Sequence, residues 1–374
     1  MKHILLVQTG GTIQSCLQSH IIDIKNTKTN EANPLIEAYE ASHDTKVSWE
    51  VIQPLEILSE NMTLPHWNAL VSFFGRLDWR QYDGVILAHG SDTLAYTSCL
   101  LGLLLGYIDI PLVLIASNYV LEDPRSNGIA NFCAAVDFIC TDLYKGVFTI
   151  YQDTQGRVPV YLATRLLPAD CYLDAFTDFG GIPFGYMQKA SLLCKYEHDK
   201  TNITKADIPT SNITKSGTKK SCASEMAKNV FSHFSEHSNP FTKNILCITP
   251  YPGLCYSCLS ISPKQDNIAA VLHGLYHSGT LCSAGDANYS FQQFCQKCND
   301  LFLPVYLCSM KEKMGNQYAS IATVTEHTQA IPLYNISFPA AYCKLLIAYN
   351  QHVYTPQEYM NSNLFYEVLP IPSI

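Results

Sequence analysis

The sequence predicts an α/β protein with a larger N-terminal domain, built on a doubly wound and mostly parallel sheet, and a smaller C-terminal α/β domain. Short apolar runs alternate with longer helix-like stretches in the first half of the chain, a pattern typical of parallel strands joined by helices. A second, shorter series of such runs begins after a polar stretch that ends near residue 240. A chain of 374 residues is long enough for two domains.

The strands of the first domain are predicted at five apolar runs. They are Ile4–Gln8, Val51–Ile57, Gly84–Ala88, Leu112–Ala116 and Val147–Tyr151. The Leu-rich segment from Cys99 to Ala116 is broken by Asp109 and Pro111, so neither half is long enough to cross a membrane. This segment is therefore predicted to be a buried helix followed by a buried strand. Ligands of such folds bind beyond the carboxyl ends of the strands, which directs attention to the loops after Gln8, Ile57 and Ala88.

The composition changes at residues 197–240, where Lys, Thr, Ser and Asn replace the large apolar residues. This change predicts a polar linker between an N-terminal domain at 1–196 and a C-terminal domain at 241–374. In the C-terminal domain, apolar runs predict three strands and a closing helix. They are Ile245–Thr249, Ile268–His273, Val305–Cys308 and the helix Pro339–Tyr349.

Composition and charge restrict the class of protein. Hydrophobic residues make up 47% and charged residues 15% of the chain, which predicts a globular protein with a large core and excludes wholesale disorder. The net charge of −8 disfavours binding to nucleic acid. No secretory signal is visible, and the 15 cysteines lack the spacing of a disulfide scaffold. We therefore expect a cytoplasmic protein with reduced thiols that binds neither nucleic acid nor membrane.

Each of the three strand-end loops is polar. The first, Thr9–Thr12, has two adjacent glycines that allow a tight turn and two hydroxyls, but it has neither a G-x-G-x-x-G nor a Gly-Lys-Ser/Thr motif. The second carries Ser59 beside Glu60, and the third carries Ser91 and Asp92 before a Leu-rich helix. Alone, a sequence such as the first loop is more often a plain turn, and the other two loops are equally consistent with capped helix starts.

In this order, the three loops resemble the bacterial-type L-asparaginase/glutaminase family of threonine amidohydrolases. The sequence TGGTI at Thr9–Ile13 corresponds to the first signature of the family, and HGSDT at His89–Thr93 to its HGTDT signature. Ser59 and Glu60 correspond to the substrate-binding pair, and Asp123–Asn131 looks like the DxRSDGxxN stretch. The resemblance covers residues 4–185 well, whereas the second domain matches more loosely.

This resemblance implies a double-displacement hydrolysis of a side-chain amide. Thr12 matches the nucleophile, and Ser91 stands where the family has a threonine that helps to activate the nucleophile or the water. A developing oxyanion needs backbone donors, such as those around Gly11 and Gly90. His89 is expected to be a structural hydrogen-bonding residue rather than a base.

The resemblance also implies how a small amide substrate is bound. Asp92 and Glu60 fall where the family binds the α-ammonium group, and Ser59 falls where it holds the α-carboxylate. Charged acceptors suit an ammonium group, which agrees with these residue types. Family members are tetramers built from close dimers, which implies a homodimer or homotetramer here. The resemblance implies no metal or organic cofactor, and the pairs Cys255/Cys258 and Cys295/Cys298 lie too far apart in sequence to favour zinc.

Two departures from the family pattern bear on activity. Arg165 takes the place of the lysine that completes a Thr-Lys-Asp relay; it keeps the positive charge and has the shape to fork onto Asp92, but it cannot accept a proton. Residues 13–38 contain no tyrosine, although the family places one in the mobile loop after TGGTI, and the first tyrosine is Tyr39. Two alternatives therefore stay open: a weakly active or inactive relative that binds a small amino acid, and the asparaginase-like subunit of a tRNA-dependent amidotransferase.

Overall fold

A computed structural model describes residues 1–18, 21–24, 33–193, 222–283, 286–311 and 318–370. The chain forms two compact units, Met1–Asn239 and Pro240–Ile374. The described strands of the first unit are β1 Lys2–Gln8, β2 Ser15–Gln18, β3 Ile21–Ile24, β4 Val47–Ile52, β5 Gly84–Ala88, β6 Pro111–Ile115, β7 Gly146–Ile150, β8 Val158–Leu162, β9 Leu166–Asp170, β10 Ala175–Asp178, β11 Gly185–Gln188 and β12 Ser191–Leu193. Its described helices are α1 Pro34–Ser42, α2 Leu64–Gly75, α3 Leu94–Leu105, α4 Gly128–Cys140 and α5 Cys222–Ser235.

Eight strands of the first unit form one sheet in the order β12-β11-β8-β7-β6-β5-β1-β4. Five neighbouring strands, β7, β6, β5, β1 and β4, pair in parallel. Strands β8, β11 and β12 extend the sheet beyond β7 with antiparallel pairing. Every residue of β5, β6 and β7 is buried, as expected for parallel strands covered by helices on both faces. The predicted α/β class and mostly parallel sheet are confirmed.

The Leu-rich segment is a helix followed by a strand, as predicted. Helix α3 is buried on nearly every side, and β6 follows it at the centre of the sheet. A Cβ at Gly102 of α3 would lie 2.8 Å from the Cγ2 atom of Thr164, so this helix packs closely against the 3₁₀ turn Ala163–Arg165. Among the described residues, no helix combines the length and apolar character needed to cross a bilayer.

The second predicted strand is wrong in position. Strand β4 covers Val47–Ile52, whereas the prediction was Val51–Ile57. The difference arises because β4 lies at the edge of the sheet, where Val51 is 43% exposed, and therefore lacks the continuous apolar run of a central strand. Ile57 belongs to the loop beyond β4, where it forms an isolated parallel bridge with Gly10.

The predicted linker at 197–240 differs from the structure in its second half. Residues 197–221 lie outside the described residues, but 222–235 form helix α5, which packs against α2 and α3 of the first unit. Its buried residues recur at helical spacing and form an apolar stripe within a polar stretch: Ala227, Val230, Phe231 and Phe234. The boundary between the units lies at Asn239 and Pro240.

The second unit has a four-stranded parallel sheet in the order β13-β14-β15-β16. Its strands are β13 Asn244–Ile248, β14 Ile268–Gly274, β15 Val305–Met310 and β16 Ile331–Tyr334, and its described helices are α6 Pro263–Asp266, α7 Phe291–Asp300, α8 Ala319–His327, α9 Phe338–Asn350 and α10 Pro356–Asn361. The three predicted strands and the closing helix are present. On α9, Lys344 forms a fully buried ion pair with Glu367 at 2.7 Å.

Candidate active site

The three polar loops identified in the sequence meet because their strands are neighbours. Strand β1 lies between β4 and β5, and all three are parallel, so their carboxyl ends share one edge of the sheet. Hydrogen bonds then join the first loop to both of its neighbours. Gly11 N donates to Ile57 O and Ile57 N donates to Thr9 O, each at 3.0 Å, while Thr9 donates to Ala88 O through its amide and its hydroxyl.

Two glycines allow the loops to approach without a gap. A Cβ at Gly11 would lie 2.5 Å from Gly90 Cα and 2.6 Å from Gly90 N, and the φ of +78° at Gly11 is unfavourable for any L side chain. A Cβ at Gly90 would in turn lie 2.4 Å from the Ser59 hydroxyl oxygen. The glycines therefore set the distance between the loop that carries Thr12 and the loop that carries Asp92.

Ser59 and Asp92 form the direct side-chain link between the second and third loops. The Ser59 hydroxyl donates to the Asp92 carboxylate at 3.0 Å and lies 3.3 Å from the Asp92 amide. Thr93 strengthens this link because its hydroxyl donates to Ser59 O at 3.0 Å. Ser59 is buried and Asp92 is exposed, so the pair joins the interior of the loops to their solvent face.

The capping alternatives for these loops do not hold. The N-cap of α3 is Thr93, without a side-chain capping bond, rather than Ser91 or Asp92. The second loop forms a 3₁₀ turn, Ser59–Asn61, and α2 begins five residues beyond Ser59, after Thr63. Ser91, Asp92 and Ser59 are therefore not helix caps, which leaves these side chains available for other roles.

The predicted reactive groups lie at the surface of these loops. Thr12 begins a 3₁₀ turn and is half-buried, as is Ser91, while Glu60 is exposed. Gln14 stabilises this turn through two hydrogen bonds. Its side-chain oxygen accepts from Gly10 N at 2.6 Å, and its backbone N–H donates to Gly11 O at 2.9 Å. A substrate can thus reach Thr12 while the backbone beneath it is fixed.

Gly11 itself does not supply one of the expected oxyanion donors. Its amide N–H is already donated to Ile57 O, because Gly10 and Ile57 pair as a short parallel bridge. An N–H group bound in this way is not available to a substrate. Gly11 contributes the close contact with Gly90, and oxyanion donors must be sought in the residues that flank the two glycines.

His89 follows β5 directly and is fully buried. Its Nδ1 atom lies 2.7 Å from Gly90 O; since a carbonyl oxygen accepts, Nδ1 carries the proton. Burial lowers the pKa of His89 to about 4, so the ring is neutral at pH 7. This geometry agrees with a structural role, although the buried Nε2 atom has no hydrogen-bond partner among the described residues.

Arg165 ends the 3₁₀ turn between β8 and β9 and is 5% exposed. The carboxylate of Asp178 lies close enough for the positive charge of Arg165 to affect it. Burial raises the pKa of Asp178 to about 7, and Arg165 opposes this shift. The predicted ion pair of Arg165 with Asp92 stays a prediction.

Two acidic residues near the site were missed in the sequence. Asp178 and Asp174 both belong to the β9–β10 hairpin, in a stretch without a recognisable motif. Burial raises the pKa of Asp174, and the negative charge of Asp92 adds to this shift. The Tyr151 hydroxyl donates to Asp174 at 3.4 Å.

The stretch Asp123–Asn131 forms a brace rather than a part of the three-loop cluster. Asn131 donates to Ala116 O at 2.9 Å and accepts from Gln152 N at 2.6 Å, which ties the ends of β6 and β7 together. Arg125 binds Asp123 within the same loop. These contacts explain the polar residues there without assigning them to substrate.

The loop after the first signature contains the β2–β3 hairpin, and its residues 19–20 and 25–32 lie outside the described residues. Tyr39, the first tyrosine, is buried in α1, stacks on His43 at 4.1 Å and donates to Asp137 at 3.4 Å. Tyr39 therefore belongs to the core. In the described residues, no group of three or more His, Cys, Asp or Glu side chains has the arrangement of a metal site.

Comparison with known families gives a match over the first unit. A family model described as "Asparaginase, N-terminal" matches residues 3–200. A glutamyl-tRNA(Gln) amidotransferase subunit of Methanococcus maripaludis (strain C7) is 27% identical over 216 residues, 56% of this chain and 49% of that protein. The corresponding amidotransferase subunit from Saccharolobus islandicus (strain L.S.2.15) is 31% identical over 136 residues, 36% of this chain and 30% of that protein. The chain thus spans half or less of the curated relatives it matches.

Two solved structures share the fold over nearly the whole chain. The thermostable L-asparaginase from Thermococcus kodakarensis has a TM-score of 0.69 at 19% identity, covering 98% of this chain and 99% of that one. L-asparaginase I from Vibrio cholerae has a TM-score of 0.67 at 18% identity, covering 99% of both chains. At this level of identity, the likeness concerns the fold.

Proposed function

Because the chain belongs to the asparaginase family, we propose that it is an amidohydrolase that converts L-asparagine to L-aspartate and ammonia, with L-glutamine as the second candidate substrate. The observation that carries the proposal is the joining of the three loops. Gly11 touches Gly90, and Ser59 bonds to Asp92, so Thr12 shares one strand-end site with a buried hydroxyl and an exposed carboxylate. This combination suits a nucleophile beside an ammonium-binding acid.

The proposed reaction has two displacements. The Thr12 hydroxyl oxygen bonds to the amide carbon, the carbon–nitrogen bond breaks, and the amide nitrogen leaves as ammonia with the proton of that hydroxyl. Water then attacks the acyl carbon, the bond between that carbon and the Thr12 oxygen breaks, and one proton of the water returns to the Thr12 oxygen. Ser91 is the hydroxyl proposed to assist these transfers, and the backbone around Gly90 is proposed to stabilise the oxyanion.

The proposed binding of the amino acid uses the solvent face of the loops. Asp92 and Glu60 are exposed and negatively charged, which suits an α-ammonium group. Ser59 is proposed to hold the α-carboxylate. Its hydroxyl proton faces Asp92 in the substrate-free site, so binding in this way requires the hydroxyl to turn toward the substrate.

Arg165 bears on how the proton moves. An arginine side chain stays charged at every accessible pH, so it supplies a fixed positive charge and not a proton acceptor. A fixed charge still stabilises negative charge that develops nearby. The alternative of a weakly active or inactive amino-acid-binding protein rests on this residue.

A second candidate function follows from the curated relatives. Their description as amidotransferase subunits favours a role in which this chain releases ammonia for a partner protein. The same site would then act on an amide, but full turnover would require the partner. Release of ammonia from free asparagine by the chain alone separates the two candidates.

The test measures ammonia release by the purified chain with L-asparagine, L-glutamine and D-asparagine. We expect release from an L-amide, and Thr12→Ala should abolish it with unchanged circular dichroism, because no other group replaces the nucleophile. Thr12→Ser is the matched control, since it keeps the hydroxyl. Near-normal release by Thr12→Ala would refute the assignment and make Ser91 the candidate. A silent wild type that still binds asparagine by calorimetry would favour the binding protein.

We also propose that the protein acts in the cytoplasm as a homodimer or homotetramer. The described cysteines are free thiols, which agrees with a reducing compartment. The oligomeric state rests on the family resemblance. Sedimentation velocity at micromolar concentration tests it, and a monomer would refute it.

A further inference from the structure

The second unit carries a pair of cysteines whose sulfur atoms almost touch. Cys255 precedes the 3₁₀ turn Tyr256–Cys258 and Cys258 ends it, and their Sγ atoms are 3.1 Å apart. A disulfide bond is about 2.05 Å long, so closure needs a movement of about 1 Å. The backbone already has the required bend, because Cys258 N donates to Cys255 O at 3.3 Å.

Tyr256, one of the two residues between the cysteines, holds this turn in place. Tyr256 is 4% exposed, and its amide donates to Asn288 O at 2.8 Å. Its hydroxyl lies 2.9 Å from Nε2 of His273, whose Nδ1 atom donates to Gly274 O; Nε2 therefore accepts the tyrosine proton. Tyr256 thus points into the unit, while Cys255 is half-buried and Cys258 is exposed. A bond between the sulfurs would leave the core undisturbed.

The surroundings favour Cys255 as the reactive sulfur. The Ser257 hydroxyl donates to the Asn288 side-chain oxygen at 2.9 Å and lies 3.1 Å from the Cys255 sulfur, so its proton can turn from Asn288 toward a thiolate at Cys255. The hydrogen bond with Ser257, followed by those with Cys258, lowers the pKa of Cys255. The hydrogen bond to Cys255 raises the pKa of Cys258. This asymmetry is that of an attacking and a resolving cysteine.

The same chain contains a pair with equal spacing and opposite surroundings. Cys295 and Cys298 lie on α7 and are 1% and 0% exposed. Burial raises the pKa of Cys295 to about 12 and that of Cys298 to about 11. Buried thiols of this kind are inert, so the pair serves as an internal control.

We propose that Cys255 and Cys258 form a reversible dithiol–disulfide site that exchanges with small-molecule disulfides of the glutathione class. The Cys255 thiolate attacks one sulfur of the oxidised small molecule, which forms a mixed disulfide and releases one small thiolate. The Cys258 thiol then loses its proton and attacks the Cys255 sulfur, which releases the second small thiol. Two electrons pass from the protein sulfurs to the small disulfide, and the two thiol protons end on its two halves. An excess of reduced thiol reverses the steps.

The experiment equilibrates the full chain in buffers of reduced and oxidised glutathione, blocks free thiols and maps the peptides by mass spectrometry. We expect a Cys255–Cys258 disulfide under conditions that leave Cys295 and Cys298 reduced. No disulfide at Cys255, or one that joins it to the exposed Cys282, would overturn the proposal.

Two variants identify the order of attack. Cys258→Ser should trap Cys255 as a mixed disulfide with glutathione, whereas Cys255→Ser should leave Cys258 largely unreacted. With limiting iodoacetamide at pH 7, Cys255 should react at least about tenfold faster than the exposed Cys222. Equal rates, or faster labelling of Cys258, would refute the assignment. Both substitutions lie at solvent-accessible positions, so we expect unchanged thermal unfolding.

Discussion

Replacement of Gly11 by alanine tests the central claim about the site, that two glycines set the distance between its loops. The added methyl group would lie 2.5 Å from Gly90 Cα and 2.6 Å from Gly90 N. Both are backbone atoms, so neither can turn away as a side chain would. One loop must move, and the loop that carries Thr12 would be displaced from the loop that carries Asp92.

The expected loss of stability in Gly11→Ala has two contributions, backbone strain and overpacking. A left-handed φ costs an L residue about 1–2 kcal/mol, part of which is offset by about 0.4–1 kcal/mol because alanine restricts the unfolded chain. Overpacking of a close contact adds about 1–3 kcal/mol. Gly156 provides the matched control, since its φ is +75° against +78° at Gly11, but nothing lies within 4 Å of its Cβ position. Gly156→Ala therefore adds backbone strain without overpacking.

The assay is urea unfolding followed by tryptophan fluorescence. The three tryptophans, Trp49, Trp67 and Trp79, all lie in the first unit, so the signal reports on the unit that holds the site. We expect Gly11→Ala to lower the free energy of unfolding by about 1–3 kcal/mol more than Gly156→Ala does. Ammonia release should be lost in Gly11→Ala and kept in Gly156→Ala. Equal stability of the two variants, or full activity of Gly11→Ala, would refute the reasoning.

Three further predictions concern charged groups. Asp92→Asn should raise the apparent KM for asparagine about tenfold to a hundredfold, since a charged acceptor of the ammonium group is lost; an unchanged KM would place the ammonium elsewhere. Arg165→Lys should raise kcat by up to about 10²–10⁴ if a proton acceptor is what the site lacks, and an unchanged kcat would show that a fixed charge suffices. Burial raises the pKa of Asp178 from 3.8 to about 7, so the folded state binds a proton that the unfolded state releases between these values. The wild type should therefore lose stability as pH rises from about 4 to 7, by up to ~4 kcal/mol, and Asp178→Asn should lack this loss in urea unfolding at pH 4.5 and 7.5; parallel profiles would contradict it.

The fold could be predicted where local sequence and burial agree. Strands β5 and β6 are central, so each appears in the sequence as an uninterrupted apolar run. The position of β4 was predicted wrongly because, among the described strands, β4 pairs with β1 only and is therefore partly exposed. Helix α5 was missed because its apolar stripe lies in a stretch dominated by polar residues, and only its contact with α2 and α3 shows which face is buried.

The candidate site, like the fold, has parts that could be predicted from the sequence and parts that could not. The placement of Thr12 and Asp92 in loops at neighbouring strand ends could be predicted, because each belongs to a recognisable motif that directly follows a strand. Asp174 and Asp178 could not, because the β9–β10 hairpin that carries them folds back onto Arg165, and no local sequence pattern records this path. The occupied amide of Gly11 was also hidden, since its acceptor, Ile57, lies 46 residues along the chain.

The charged and titratable groups around the candidate site bear on how the proton of the proposed nucleophile is transferred. Arg165 stays protonated, and the buried His89 has its proton on Nδ1, bound to Gly90 O. Asp92 already accepts the Ser59 hydroxyl, and Asp178 is buried beside the arginine with a pKa near neutrality. A lysine at position 165 would add a titratable amine to the site. With arginine there, the carboxylic acids are the groups that titrate. The wild-type pH–rate profile should therefore follow carboxylate ionisation, and Arg165→Lys should add a basic limb to it.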